Sequence, residues 1–478
     1  MVNPMFRVKS VYDIPLIKLI TENLKYKLCQ PTSEQSNLFK IPQKYNPSEI
    51  EILDVMDGYG ISIEADEEYV SEIVSLIRDN IQHAITIQHP VQLHAVYNGT
   101  VVHVNDQKNL SIIDIGENVN AILFGAQYRR EQKIVVQIKS LNIFEDQLPV
   151  CSTTVHFPGQ AVILERDADF VRVSRKLSKD DRDRLFELGK QLRPRDYGLI
   201  MRTSAVESSS EAIQADIDHL IQQAEELDLL ISGSSYGPGI LQPGHAVAHI
   251  VFVKAAKEKL GEIRNEITPT LPNYYWFMSY SPELKLTTTF AEKLSSDVDS
   301  TKLALFLKET ILERDFSENS ILHLQEYCLI SAPTYRVLGQ LNWSKDVMVI
   351  ERSFRSSRGE HFALDEGIHQ GDSAVILTKE GSWSIHTKIF RKELLVGETV
   401  KIVTPVELYD GGKLRYIDLG LLIVKKNDVV QPNDSGIIDN LVEQGFISKE
   451  FGNKVLSFFE QSQEELKANK EHIVILPK

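Results

Sequence analysis

Cysteine is scarce in this sequence: Cys29, Cys151 and Cys328 are the only three among 478 residues. They lie too far apart for a zinc-ligand spacing and form no even disulfide set, which fits a reducing cytoplasm. No uninterrupted apolar run is long enough to span a bilayer, so no membrane partner is expected. The opening MVNPMFRVKSVYDIPLIKLI lacks the apolar core and small-residue cleavage site of a signal peptide. Positive charge is also short. Lys and Arg number 52 against 67 Asp and Glu, a net charge of −15. A chain of that sign does not coat nucleic acid by bulk electrostatics, so any nucleic-acid site has to be a local basic patch on an acidic body. There is no internal repeat and no low-complexity tract. The glycine-rich GSSYGPG at 233–239 lacks the Lys-Ser/Thr ending of a phosphate-binding loop and reads as a turn.

What is present suits a soluble chain of two to four domains, with 42% hydrophobic and 25% charged residues. Residues 1–90 read as α/β. Ile14, Leu16, Ile17, Leu19, Ile20 and Leu24 form an apolar helical stripe, and a second helix is expected over 67–85 with Val70, Ile73, Val74 and Ile77 buried. Asp57-Gly58 marks a turn between two strands. Residues 91–145 read as a small barrel of the OB type. Turn signals at 105–109 and 116–118 separate short strands, and Ile134, Val136 and Ile138 alternate with Val135, Gln137 and Lys139. Such a barrel commonly binds single-stranded nucleic acid, but a packing role is an equal alternative on pattern alone.

Residues 146–230 change character. Strand-like runs at 161–164 and 198–202 flank a helix that Ser178 can cap, with Asp180 and Asp181 in its first turn. Basic residues gather here, among them Arg172, Arg175, Lys176, Arg182 and Arg202. A solvated face of paired charges is the ordinary alternative to a nucleic-acid patch. Ser208 with Glu211 suggests a capping box for a following amphipathic helix carrying Ile213, Ile217, Leu220, Ala224 and Leu227. Residues 231–325 read as a further α/β piece. Its NYYWFMSY run offers either a base-stacking surface or, more in keeping with aromatic usage, a core strand or interface. Residues 326–478 read as a second β-rich domain with strands at 347–352, 373–378, 383–390, 400–408 and 414–424. Two helices end the chain, the first stopping near Gly445 and the second burying Phe451, Val455 and Phe458. Arg352, Arg355 and Arg358 cluster in ERSFRSSRGEH.

Several strings carry a resemblance. YNGTVVHV, SIIDIG, EQKIVVQI, FPGQAVIL, VSRKLSKDDR and GLIMRTSAVESSSEAIQADIDHL resemble, in order and spacing, the RNA-binding part of bacterial ribonuclease E/G. That part is an OB-fold barrel of the ribosomal S-one type followed by a region that senses the RNA 5′ end. HQGDSAVI, KIVTPVELYDGGKLRYIDLGL and EQGFIS resemble a β-barrel-like family of nucleoside di- and triphosphate phosphatases. Together, with VYDIPLIKLI and DGYGISIE ahead of them, they resemble the archaeal AU-rich-RNA-binding, probable-ribonuclease family over nearly the whole chain. The resemblance implies multidomain α/β plus β-barrel architecture. It also implies a cytoplasmic endoribonuclease acting on single-stranded or AU-rich loop RNA and on rRNA precursors. A non-catalytic RNA-binding protein and a nucleotide phosphohydrolase are the alternatives.

By that resemblance Arg202 and Thr203 hold a 5′-phosphate. A guanidinium fork and a hydroxyl suit phosphate oxygens, although a strand-end arginine paired with Asp196 would look the same in sequence. Arg172, Arg175, Lys176 and Arg182 would line the groove with Tyr97 and His103. The barrel departs from its relatives at Ile112 and Ile122, where they present aromatics, and each lost stack is worth about 1–3 kcal/mol. No Asp-x-Asn motif follows residue 230, so the relatives' nuclease centre is not carried over and the catalytic residues stay unassigned. In the second barrel only Asp418 remains of an Asp-x-Asp-x-Asp run, since Gly420 and Leu422 replace its partners. Asp434 is kept, Gly436 replaces the next acid and Lys401 stands for an asparagine. Asp418 and Asp434 are thus a residual site for Mg²⁺.

Overall fold

The computed structural model describes residues 3–468 apart from 45, 126–127, 145–147, 176, 234–236, 330–334, 358, 362 and 434–435. Lys176, Arg358 and Asp434 therefore lie outside the described residues.

The chain opens with β1 (Met5–Lys9), α1 (Asp13–Asn23), β2 (Lys27–Leu28), α2 (Ser33–Phe39), β3 (Ile50–Val55), β4 (Gly60–Ala65), α3 (Glu67–Asn80) and β5 (Ala84–Gln88). Asp57 and Gly58 take positive φ (55° and 80°) in the turn between β3 and β4, as that dipeptide predicts. The helix expected to reach 85 stops at Asn80. The Ile85-Thr86-Ile87 stretch is β-branched throughout and enters the sheet instead. β4 and β5 do not pair directly; a strand from residues 246–252 runs between them. The segment read as a separate extension thus supplies a central strand of the first sheet, a long-range pairing that local pattern does not reveal.

Between the two halves of that sheet sit two inserted bodies. β6 (Val96–Asn105), β7 (Leu110–Gly116), β8 (Val119–Phe124), β9 (Lys133–Ser140) and β10 (Val150–Ser152) follow the order β6-β7-β8-β10-β9 and close by β6–β9 pairing into the expected five-stranded barrel. Next come β11 (His156–Pro158), β12 (Val162–Arg166), β13 (Val171–Val173), α4 (Lys179–Leu192), β14 (Tyr197–Met201) and α5 (Ser210–Gly233). Their four strands form a sheet in the order β11-β12-β14-β13. Leu164, Leu199 and Met201 on one face pack with Leu185 of α4 and Ile213, Ile217 and Leu220 of α5. Ser178 caps α4, accepting from Asp181 N at 3.1 Å. The cap of α5 is one residue later than expected: Ser209 Oγ accepts from Ala212 N (3.2 Å), while Ser208 Oγ donates to the Ser204 carbonyl.

β15 (Gly239–Gln242) pairs with β6, and β16 (Ala246–Phe252) completes the first sheet. α6 (Lys254–Asn265), α7 (Tyr274–Tyr280), α8 (Leu284–Leu294) and α9 (Ser300–Asp315) follow. The aromatic run is α7, a helix rather than a strand, and all seven of its residues are buried. It builds core and offers no stacking surface. The second barrel comprises β17 (Ile321–Cys328), β18 (Tyr335–Ser344), β19 (Val347–Ser353), β22 (Ser373–Thr378), β23 (Ser384–Arg391), β24 (Leu394–Val403) and β26 (Lys413–Lys426), closed by β17–β26 pairing. A small hairpin, β20 (Glu360–His361) and β21 (Glu366–Gly367), stands apart, while β25 (Glu407–Tyr409) and β27 (Val429–Asn433) flank β26. The single strand expected over 400–408 divides at Thr404-Pro405, because proline cannot donate to the ladder. α10 (Ile437–Glu443) and α11 (Lys449–Lys467) close the chain around Gly445 (φ 75°), with Phe451, Val455 and Phe458 buried.

One face of the first sheet packs under α1, α3 and α6, through Phe6, Ile52, Ile63, Ile73 and Leu260. The other joins the second barrel through Tyr59, Ile85 and Val251 against Val400, Ile417 and Phe451. Lys257 and Glu407 form a fully buried ion pair across that junction, with Tyr409 OH 3.0 Å from Lys257 Nζ. Among the described residues, no helix is long and apolar enough to cross a membrane.

Candidate nucleic-acid interface

Three sequence strings converge at one loop. Asp216 of α5 accepts from the backbone N–H groups of Gln160 (3.0 Å), Ala161 (2.7 Å) and Val162 (3.0 Å), filling the carboxylate with donors. Gly159 permits that approach, since a Cβ there would stand 2.6 Å from both Asp216 carboxylate oxygens. At the end of β14 the Arg202 guanidinium donates to the Gly159 carbonyl, and the Arg202 N–H donates to Ala161 O at 2.8 Å. Ser204 Oγ donates to Gln160 O at 2.5 Å. Arg202 is thereby fixed by the FPGQ loop, which Asp216 of QADID holds in turn.

The surroundings come from the first sheet. Arg7 of β1 and Glu51 of β3 are register neighbours and pair at 2.5 Å, and Arg7 Nη1 donates to Gln30 Oε1 at 2.9 Å. Arg7, Gln30, Pro47 and Ser48 face Gln160, Ile163, Ser174, Ile200, Arg202 and Thr203 across a recess of about 240 Å³. Among the described residues no carboxylate lies within ion-pair distance of Arg202, and Asp196 is not its partner. Burial pulls the guanidinium's pKa down, with Glu51 acting against that shift and Arg7 adding to it. It remains a cation bonded to a neutral carbonyl, which is the state that an entering phosphate oxygen would stabilise.

The other basic residues are spread out. Arg172 stands on β13 beside Ile200, on the sheet face that carries the recess, with its guanidinium 4.0 Å from the Phe170 ring centre. Arg175 is exposed in the turn after β13, and Arg182 is half-buried on α4, the helix that covers the opposite face. Elsewhere the paired-charge reading applies: Arg166 bonds Asp228 and Arg193 bonds Asp169, each at 2.7 Å.

In the first barrel Tyr97 points inward. It is 9% exposed and packs with Val101, Ile113 and Val136, so it has no face for a base. His103 is exposed on the outer wall, in register with Ile112, which in turn faces Ile122. Phe124 is 56% exposed on that wall, opposite Leu110. The wall is therefore aliphatic at Ile112 and Ile122, where relatives were expected to present stacking rings, with Phe124 and His103 beside them.

In the second barrel Glu326, Cys328 and Asp418 bring one ligand atom each within 4.8 Å of one another, a group that could hold a metal ion. Lys401 reaches into it, with Nζ 2.5 Å from Glu326 and 3.3 Å from Asp418, while Tyr416 OH donates to Glu326 at 3.1 Å. Burial works against that ammonium, but the Asp418 and Glu326 carboxylates outweigh it and hold its pKa above the ordinary range. Mg²⁺ wants an all-oxygen octahedral shell, and a thiol beside a resident ammonium does not fit it.

Comparison with known proteins agrees with the convergence of strings. Residues 156–296 match the Ribonuclease E/G family model. The ribonuclease E/G-like stretch thus holds the Arg202 side of the recess, while Arg7, Gln30, Pro47 and Ser48 lie outside it, and it continues through β16 to α8. "Probable ribonuclease FAU-1" of Thermococcus kodakarensis is 25% identical over 472 residues, 95% of this chain and 97% of the relative. The proteins of the same description from Pyrococcus abyssi (26% over 477 residues) and Hyperthermus butylicus (25% over 467) span 96% and 95% of this chain and 98% and 97% of their own lengths. Two solved structures are similar over 32% of this chain, at 10% identity and a TM-score of 0.26 each. They are a FomD complex with CDP (88% of that chain) and the phosphatase SC4828 with a non-hydrolyzable nucleotide (84%).

Sequence reasoning quoted FPGQ and QADID without giving Gly159 or Asp216 a role. It also did not bring Arg7 or Gln30 to the site. The glycine was the available signal for the first pair. Arg7 and Gln30 lie more than 150 residues away and left none.

Proposed function

We propose that this chain is an RNA-binding endoribonuclease that seats the 5′-phosphate of single-stranded RNA in the recess between the first sheet and β14. The observation that carries the reading is the Arg202 guanidinium, bonded to the Gly159 carbonyl yet without a carboxylate partner among the described residues, in the recess that Thr203 also lines. The similarity to relatives described as probable ribonucleases supports the cleavage half of the reading. AU-rich loops and rRNA precursors in the cytoplasm are the proposed targets, with Arg172 and Arg175 extending the contact to the backbone of the RNA. Mg²⁺ at Asp418 and Asp434 is not part of the proposal, and neither is nucleotide hydrolysis by the second barrel, because Lys401 supplies the charge there.

The test is binding of one RNA sequence with a 5′-monophosphate or a 5′-hydroxyl. A hydrogen bond to a charged group contributes about 1.5–3 kcal/mol. Arg202→Ala is therefore expected to weaken the phosphorylated RNA roughly tenfold or more and to leave the hydroxyl form nearly unchanged. Equal losses on both RNAs would refute the phosphate assignment.

A further inference from the structure

Arg202 also borders a second, larger recess of about 500 Å³ that holds His94, His219 and His245. The cleft lies where the first sheet, the first barrel and the ribonuclease E/G-like body meet. His94 and His245 come from the two crossings between the first sheet and the inserted bodies, 151 positions apart. A reciprocal pair of backbone bonds, Leu93 N to His245 O and His245 N to Leu93 O at 2.8 Å each, holds the two segments together. Gly244 makes this contact possible, because a Cβ there would sit 2.1 Å from the Leu93 carbonyl oxygen.

Both imidazoles carry a buried Nδ1 without a hydrogen-bond partner among the described residues, and His245 Nδ1 has Asp66 at 3.9 Å. His94 is held in the left-handed region (φ 66°), its N–H donating to Ile138 O (3.0 Å) and its carbonyl accepting from the Gln137 amide (2.9 Å). A non-glycine residue kept there by surrounding bonds costs stability and is a common mark of a working site. Burial, with Lys139, His245, His156 and Arg202 around it, lowers the pKa of His94 to about 4 and keeps it neutral. The acids of the cleft are largely spoken for. Asp216 has three backbone donors and Glu51 has Arg7, while burial and then Glu51 raise the pKa of Glu64 toward its neutral form.

Resting on the reading that this chain cuts RNA, we propose that His94 and His245 form a metal-independent cleavage centre acting by transesterification. His94 accepts the proton of the ribose 2′-OH as that oxygen bonds to the adjacent phosphorus. The P–O5′ bond breaks, and His245, acting as the acid, gives a proton to the departing 5′ oxygen. The products are a 2′,3′-cyclic phosphate and a 5′-hydroxyl, and water resets the two imidazoles. No metal or oxidant enters the balance, and a base and an acid lining one cleft are the parts it needs.

The experiment incubates the full chain with end-labelled RNA in EDTA, identifies both new ends, and repeats the assay with a 2′-deoxy nucleotide at the cut. His94→Asn, which keeps a residue type tolerant of positive φ, and His245→Gln are assayed beside it, with folding checked by thermal melting and binding by 2′-O-methyl RNA. The expected result is cleavage in EDTA with cyclic-phosphate ends, blocked by the 2′-deoxy nucleotide. Each variant should lose at least about 100-fold in rate, with binding kept. Metal-dependent cleavage leaving 5′-phosphate ends overturns the proposal and leaves the nuclease reading intact, as does full activity in both variants. A wild type that neither binds nor cuts RNA overturns both.

Discussion

Lys401 brings a full positive charge into a corner where Glu326 and Asp418 would otherwise repel each other. Removing one member of such a buried group leaves uncompensated charge, at a cost of about 3 kcal/mol or more. Lys401→Ala should therefore lower the melting temperature in metal-free buffer, and Mn²⁺ should restore part of the loss by taking the ammonium's place. The wild type should be indifferent to the same Mn²⁺. A wild type stabilised by metal would show instead that the carboxylates already serve as ligands. The residue scale is also where sequence said least. Replacement of an asparagine by Lys401 was visible, but its capture by two carboxylates depends on β17 meeting β26, which only the closed barrel brings about.

At the scale of elements, the outer wall of the first barrel tests what the missing rings mean. Ile112 and Ile122 face each other there beside His103. Replacing both by Phe should tighten single-stranded RNA binding, since a stack contributes about 1–3 kcal/mol per base. Unchanged affinity would place the RNA path away from this wall. Alternation and turn chemistry made most strands of the two barrels legible in sequence, because each carries its own period, although β17 and β18 were not read. Tyr97 was misplaced for the same reason: period two gives two faces without saying which is inside, and here the ring packs with Val101 and Val136. The aromatic run, read as core, is core, but in a helix rather than a strand, since seven residues buried on every side have no period to read.

At the scale of the whole molecule, the first sheet is the frame. It admits β16 only after both inserted bodies have been laid down, and its two faces meet the helices and the second barrel. Three histidines in this frame, His249 buried and His83 and His89 half-buried, are held in neutral form. His83 and His89 have pKa values of about 4 and His249 of about 3, all from burial, with His89 and His249 in contact at 2.7 Å. Their folded values lie below the ordinary 6.5, so the stability they contribute is complete above that pH and is lost as pH falls toward 4. Burial raises Asp13 to about 6 and also raises Asp54, Glu64 and Glu407, which acts in the opposite sense. The urea midpoint should accordingly fall between pH 7.5 and pH 5, and a midpoint that rose on acidification would contradict this balance. The two-part origin of the site, with Arg7 and Gln30 from the frame and Arg202 and Thr203 from the insertion, leads to the most direct test. An RNA carrying a photoreactive group on its 5′-terminal phosphate should crosslink to residues 30, 48, 160–163 and 200–204, in competition with unlabelled 5′-phosphorylated RNA. Crosslinks confined to the outer wall of the first barrel or to the second barrel would contradict the account.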